Sequence, residues 1–113
     1  MENRILKFIV KGQIIEKDPS CDFDNLVPGS DGYLKASFEF SPEWNDTVKI
    51  AGFYSNMGKE YEPQFIQFGK ICKIPAEALK RRTFKINVTG YAKDGSKFIK
   101  TNKLAISQDG GKK

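Results

Sequence analysis

Few residues of this chain have the types and the spacing that catalysis or metal binding requires. The 113 residues include no histidine, which is the commonest general base and a frequent zinc ligand. The sequence also has no GxSxG nucleophile motif and no glycine-rich phosphate loop. We therefore predict a protein that is not an enzyme and that binds no cofactor and no metal.

The two cysteines, Cys21 and Cys72, are too far apart in sequence for a CxxC motif. A disulfide between them would need Cα atoms within about 7 Å of each other. Because unpaired cysteine is among the most frequently buried residues, we predict two free thiols.

Carboxylates are concentrated in the segment 18–33, which reads as a long loop. A calcium loop needs oxygen ligands at alternating positions and a closing bidentate carboxylate. Only Asp22 and Asp24 have that spacing, and no glutamate follows to close the site. We interpret this segment as a solvated acidic loop.

Trp44 is the only tryptophan, and it lies in a turn with the sequence Ser-Pro-Glu-Trp-Asn-Asp. An exposed indole there could stack on a sugar or a base. Alternatively, the indole folds back over Phe40 and Val48 and closes one end of the core, because a tryptophan buries about 150–250 Å². No aromatic and amide cluster accompanies it, so we predict that Trp44 is more than half buried.

Positive charge is concentrated in the second part of the chain. Residues 1–69 hold 7 Lys and Arg against 11 Asp and Glu, a net −4, and residues 70–113 hold 12 against 3, a net +9. The basic part also contains aromatic residues, as single-strand-binding surfaces do. However, Phe84 and Lys85 are neighbours on a predicted strand and must point to opposite faces. We therefore do not expect nucleic-acid binding.

Three consecutive cations, Lys80, Arg81 and Arg82, are the candidates for contact with a partner protein, and the sequence indicates no other partner-binding residue. They follow a short helical signal near residues 76–81, where Pro75 suits a helix start. A lysine-rich surface is also common on exposed strands, where it keeps sheet edges from associating.

The elements that carry these residues are predicted to be β-strands. Apolar and polar residues alternate through most of the chain, and turn signals recur about every ten residues. This pattern predicts an all-β fold, an antiparallel immunoglobulin-like sandwich of about seven strands. A small Greek-key barrel is the alternative. We assign residues 1–107 to this domain and residues 108–113 to a flexible tail.

Four segments in this order resemble a known module. They read LKFIVKGQIIEK, GYLKASFEFSPEWNDTVKIAGFY, GKICKIPAEALKRRTFKINVTGY and TNKLAI, and together they span about residues 5–106. The chain is similar to an immunoglobulin-like module of tail, head-fibre or decoration proteins from phages of Gram-positive bacteria. It departs from that pattern at Ala76, where the family often has tryptophan.

The resemblance implies a structural protein of the virion, made in the host cytoplasm, that decorates a head or attaches to a fibre or tail. Its partners would be larger capsid, tail or fibre proteins, bound in multiple copies. A homo-oligomer through the oppositely charged halves is compatible with this role. The sequence has no membrane-spanning stretch of about 18 apolar residues. Two other functions stay open: a carbohydrate-binding module for host surfaces, and a small single-stranded DNA-binding protein.

Overall fold

The computed structural model describes residues 4–108, and the regular structure there is almost entirely β, as predicted. The alternating segments form strands because each can turn one row of apolar side chains inward. The strands are β1 (Arg4–Lys11), β2 (Ile14–Lys17), β3 (Leu34–Phe40), β4 (Val48–Ser55), β5 (Gln64–Phe65), β6 (Ile71–Lys73), β7 (Thr83–Tyr91), β8 (Phe98–Lys100) and β9 (Leu104–Ser107). A 3-10 turn, Pro42–Trp44, precedes β4, and one short helix, α1 (Ala76–Leu79), precedes β7.

The strands form two sheets around one hydrophobic core. Sheet A has the order β2-β1-β3-β6, and sheet B has the order β5-β4-β7-β8, with β9 also paired to β7. Each sheet turns one face inward, and the buried side chains of both faces join in a single cluster. Sheet A contributes the stacked rings of Phe8 and Phe38, and sheet B contributes Phe53 against Phe84.

The prediction of a purely antiparallel sandwich is wrong for one strand pair. Strands β1 and β3 run parallel along their full shared length, from Arg4 opposite Leu34 to Val10 opposite Phe40. The pattern of alternation is the same for both directions, so it did not reveal this. The long loop 18–33 carries the chain back to the end where β1 began, and β3 must then run the same way as β1.

The alternation predicts one final strand over 98–106, which the structure divides into β8 and β9. Between them, the Thr101 hydroxyl accepts a hydrogen bond from the Val88 backbone N–H at 3.0 Å. The next residue, Asn102, accepts one from Ile15 N–H in sheet A, also at 3.0 Å. The Thr101 hydroxyl replaces a ladder hydrogen bond to β7, and Asn102 turns toward the other sheet, so the strand is interrupted here. Residues 4–108 contain nine strands, where about seven were predicted.

The folded domain also extends further than predicted. Gln108, which the sequence analysis assigned to a flexible tail, is fully buried. Its side-chain amide donates to the carbonyls of Leu79 at 3.1 Å and Arg81 at 2.7 Å. These are carbonyls that the end of α1 leaves unpaired, and the helix stops at Leu79 rather than near residue 81. The rest of the predicted tail lies outside the described residues.

Candidate docking surface

Trp44 closes one end of the core and packs on Phe40, as predicted, but it does not cover Val48, which points outward from sheet B. The residue is fully buried, and its indole N–H donates to the Gly12 carbonyl at 2.8 Å. The ring packs against Phe40, with centroids 5.2 Å apart. It also lies directly on Gly90, where an added Cβ would come within 2.7 Å of the indole. A buried indole cannot stack on a sugar, so Trp44 does not support the alternative of a carbohydrate-binding site.

The cysteines are free thiols and stabilise the fold rather than form a site. Cys21 lies beside the part of β1 that β2 does not reach. Its sulfur lies 3.4 Å from the Lys7 backbone nitrogen and 3.6 Å from the Ile5 carbonyl oxygen, so it takes the place of a neighbouring strand there. Cys72 is buried in sheet A, and desolvation raises the pKa of its thiol to about 12.

The carboxylates of the acidic loop cap turns in the backbone. Asp18 accepts hydrogen bonds from the N–H and the hydroxyl of Ser20, which lower its pKa. Asp22 accepts one from the Asp24 N–H at 2.8 Å. Within residues 4–108, no group of three or more potential ligands is placed to hold a metal. No helix in the same range is long and apolar enough to cross a membrane.

The predicted partner-binding residues Lys80, Arg81 and Arg82 are all exposed. They form the turn between α1 and β7, whereas Trp44 lies against the opposite end of β7. Lys80 is 3.4 Å from the Glu77 carboxylate on the same turn, an exposed pair of little energetic weight. The three cations thus lie together on a solvent-exposed turn, and their positive charge is the one feature that supports a role in binding.

A different surface, on the outward face of sheet B, is unusually apolar. Ala51 and Phe53 of β4 point into the core, so Val48 and Ile50 must point outward. The cross-strand register continues this row over the neighbouring strands: Val48 pairs with Tyr91, Tyr91 with Phe98, and Ile50 with Phe65. We call these five residues the apolar strip.

The aromatic side chains of the apolar strip reach well into solvent. Phe65 is 65% exposed and Phe98 is 66% exposed, and Tyr91 is 38% exposed. The outward face of an antiparallel sheet is usually polar, and clustered exposed apolar side chains commonly mark a binding surface. The strip therefore has the composition of a protein-docking site, in which aromatic residues supply most of the contact energy.

Charges of both signs lie around the apolar strip. Lys100 points outward from β8, two residues from Phe98, and Asp46 and Asp94 line a depression together with Val48. Two further lysines lie at Tyr54, away from the strip: Lys85 is its cross-strand partner, and the Lys103 ammonium lies 3.9 Å from the centre of its ring. No Asp or Glu points outward from the strands of sheet B. A carboxylate, Glu60, lies beside Tyr54 at the end of β4 that is far from the strip.

Sequence reasoning missed the apolar strip, although a signal for it is present. Alternation predicts strands at Phe65 and Phe98 but does not decide which face these residues occupy, and the predicted strand through Phe84 stops short of Tyr91. The segment 48–53 has apolar residues at both parities, and only one parity can face the core. A strand that is apolar on both faces is stable when both faces are covered, and none of residues 4–108 covers the outward aromatic side chains of sheet B.

Comparison of the chain with protein-family models, with curated proteins and with solved structures gives no match. The surface itself therefore carries the functional argument.

Proposed function

We propose that the chain is a non-enzymatic structural protein of a phage particle, which docks onto a larger virion protein in multiple copies. The observation that carries this proposal is the apolar strip, a preformed aromatic surface on a rigid sheet. The resemblance in the order of sequence segments supplies the virion setting. We also propose an immunoglobulin-like topology for the two sheets, supported by the number of short strands around one core.

The surroundings of the strip define the kind of partner it fits. Aromatic side chains at the centre and charges of both signs at the margin match a partner patch with an apolar centre and a polar rim, in which a carboxylate would face Lys100. Such a contact can be modest in strength, because a particle presents many identical sites and holds many copies at once.

Binding to intact particles tests this function. Purified protein is mixed with particles assembled in cells that lack its gene, and the bound fraction is measured by sedimentation before and after a moderate salt wash. We expect binding that survives the wash, because a packed apolar interface depends less on salt than phosphate contacts do. Failure of the wild-type protein to bind particles would refute the proposal.

A paired substitution then tests the strip. Replacing Phe65 and Phe98 by Ser should weaken particle binding at least about tenfold, which corresponds to roughly 1.4 kcal/mol. Both side chains are largely exposed, so the fold should be little affected. Met57→Ser is the matched control, since Met57 is 93% exposed in the turn that follows β4 and lies outside the strip. Equal binding by the paired variant and the control would exclude the strip as the docking site.

Single-stranded nucleic acid is the second candidate ligand, because one observation favours it. Phe84 is buried and its neighbour Lys85 points outward, as predicted. In contrast, Tyr91 and Phe98 share the outward face with Lys100, and this combination of stacking and charge suits single strands.

Fluorescence anisotropy with a labelled oligothymidylate distinguishes the two candidates. We expect no binding tighter than about micromolar at physiological ionic strength, the upper end of ordinary non-specific affinity. Tighter, salt-sensitive binding that is lost on Lys100→Ser, or on replacement of Lys80, Arg81 and Arg82 by Ser, would favour the nucleic-acid function instead.

A further inference from the structure

The turn between β5 and β6 places a phenylalanine where the backbone disfavours it. Phe68 and Gly69 both have positive φ, at 55° and 66°, and Lys70 N–H donates to the Gln67 carbonyl at 2.9 Å. Gln67 pairs with Ile71 across this turn, and the two positive φ values are those of a type I′ turn, in which asparagine and glycine are preferred at both positions. A side chain with a Cβ is strained in this region, and an aromatic residue has no local hydrogen bond to compensate.

Burial does not compensate for that strain either. Phe68 is 91% exposed, the most exposed aromatic side chain in the described part of the chain. It therefore neither stabilises the turn nor fills the core. A large apolar residue that is both strained and solvated in the isolated molecule is explained if its contacts lie on another molecule.

The position of the turn connects it to the apolar strip. Phe65, a member of the strip, begins the same hairpin, and the Ile66 N–H donates to the Lys49 carbonyl at the start of β4. Gly69 and Lys70 also line a depression on the sheet A side of the hairpin, where Asp18, Glu39 and Lys49 contribute to the lining. The tip is therefore linked to the apolar strip through Phe65 and the start of β4, and its other side borders sheet A.

We propose that Phe68 is an anchor that inserts into an apolar pocket on the same partner protein that covers the apolar strip. This inference rests on the proposed docking function. Lys70 and Lys73 are the charged residues of the segment 64–73, which has no Asp or Glu. The pocket should therefore hold one phenyl ring and have an acidic or neutral rim.

Three single variants test the anchor with the sedimentation assay on particles that lack the protein. Phe68→Asn removes the ring and installs a residue that tolerates positive φ, so the thermal midpoint should stay equal or rise while particle binding falls roughly 30-fold or more. Phe68→Leu keeps an apolar side chain and should retain most of the binding. Met57→Ala, at a comparably exposed site in another turn, should change neither quantity.

The outcomes separate the anchor from the docking function. Binding of Phe68→Asn within about threefold of wild type would overturn the anchor, and so would a lower thermal midpoint, since the ring would then stabilise the fold. If the paired Phe65 and Phe98 variant loses binding while Phe68→Asn keeps it, only the anchor is refuted. If wild-type protein does not bind particles, both proposals are refuted.

Discussion

Replacing Trp44 by Ala should be among the most destabilising single changes in this protein. The side chain is fully buried between the two sheets, and Trp→Ala in a core costs about 3–5 kcal/mol through lost transfer energy and cavity formation. The Gly12 carbonyl also loses its indole donor, although water can replace it if the end of the core opens. We expect a loss of about 4 kcal/mol, a large part of the roughly 5–15 kcal/mol that stabilises a typical domain.

Urea unfolding followed by far-ultraviolet circular dichroism measures this loss, because the variant has no tryptophan to report by fluorescence. With a slope of about 1.5 kcal/mol per molar urea, the midpoint should fall by roughly 2.5 M. Trp44→Phe keeps one ring and should lose about half as much. Gly90→Ala perturbs the packing of Trp44 on β7, because the added Cβ would lie 2.7 Å from the indole ring. A Trp44→Ala midpoint within about 0.5 M of wild type would refute the reasoning.

Three further predictions concern the buried Cys72 thiol, the Gln108 side chain and the apolar strip. Burial raises the pKa of Cys72 from 9.0 to about 12, so between these pH values the folded state keeps a proton that the unfolded chain releases. The free energy of unfolding should therefore fall as the pH rises from 9 toward 12, and it should fall less steeply in Cys72→Ala. Urea midpoints measured across that range test this. Gln108→Ala should cost about 1–3 kcal/mol, because the Arg81 carbonyl loses its donor while the Leu79 carbonyl keeps the Gly29 N–H at 2.7 Å; thermal unfolding measures this, and an unchanged midpoint would show that the contact is dispensable. Sedimentation at low ionic strength should show single copies, because two strips in contact would bring their Lys100 side chains together; a dimer that Phe98→Ser dissolves would contradict this.

The sequence predicted those features that depend on local pattern. Alternation identified most strands, because a strand that faces one core must place every second side chain inward. Trp44 was predicted to be buried for a related reason. Its turn follows the apolar Phe40 and precedes Val48, so folding back was the nearest way to remove the indole from water. Neither inference needed knowledge of which strands are neighbours.

Features that depend on strand neighbours were not predictable in this way. The parallel pairing of β1 with β3 follows from the path of a 16-residue segment, 18–33, whose composition indicates only a loop. Gln108 appeared in a polar and glycine-rich stretch, and its burial depends on carbonyls about 27 residues earlier. Both are long-range effects, in which a partner distant in sequence decides the outcome.

The apolar strip and its lysines also bear on how multiple copies would assemble. Two strips placed face to face would bring their Lys100 side chains toward each other, and the strands of sheet B carry no outward carboxylate to neutralise them. Like charges juxtaposed in an interface cost free energy and select against that pairing. A partner with an apolar centre and a complementary charge opposite Lys100 would gain both the apolar contact and the charge compensation. Multiple copies on a particle would then reflect the array of sites on the partner rather than contacts between strips.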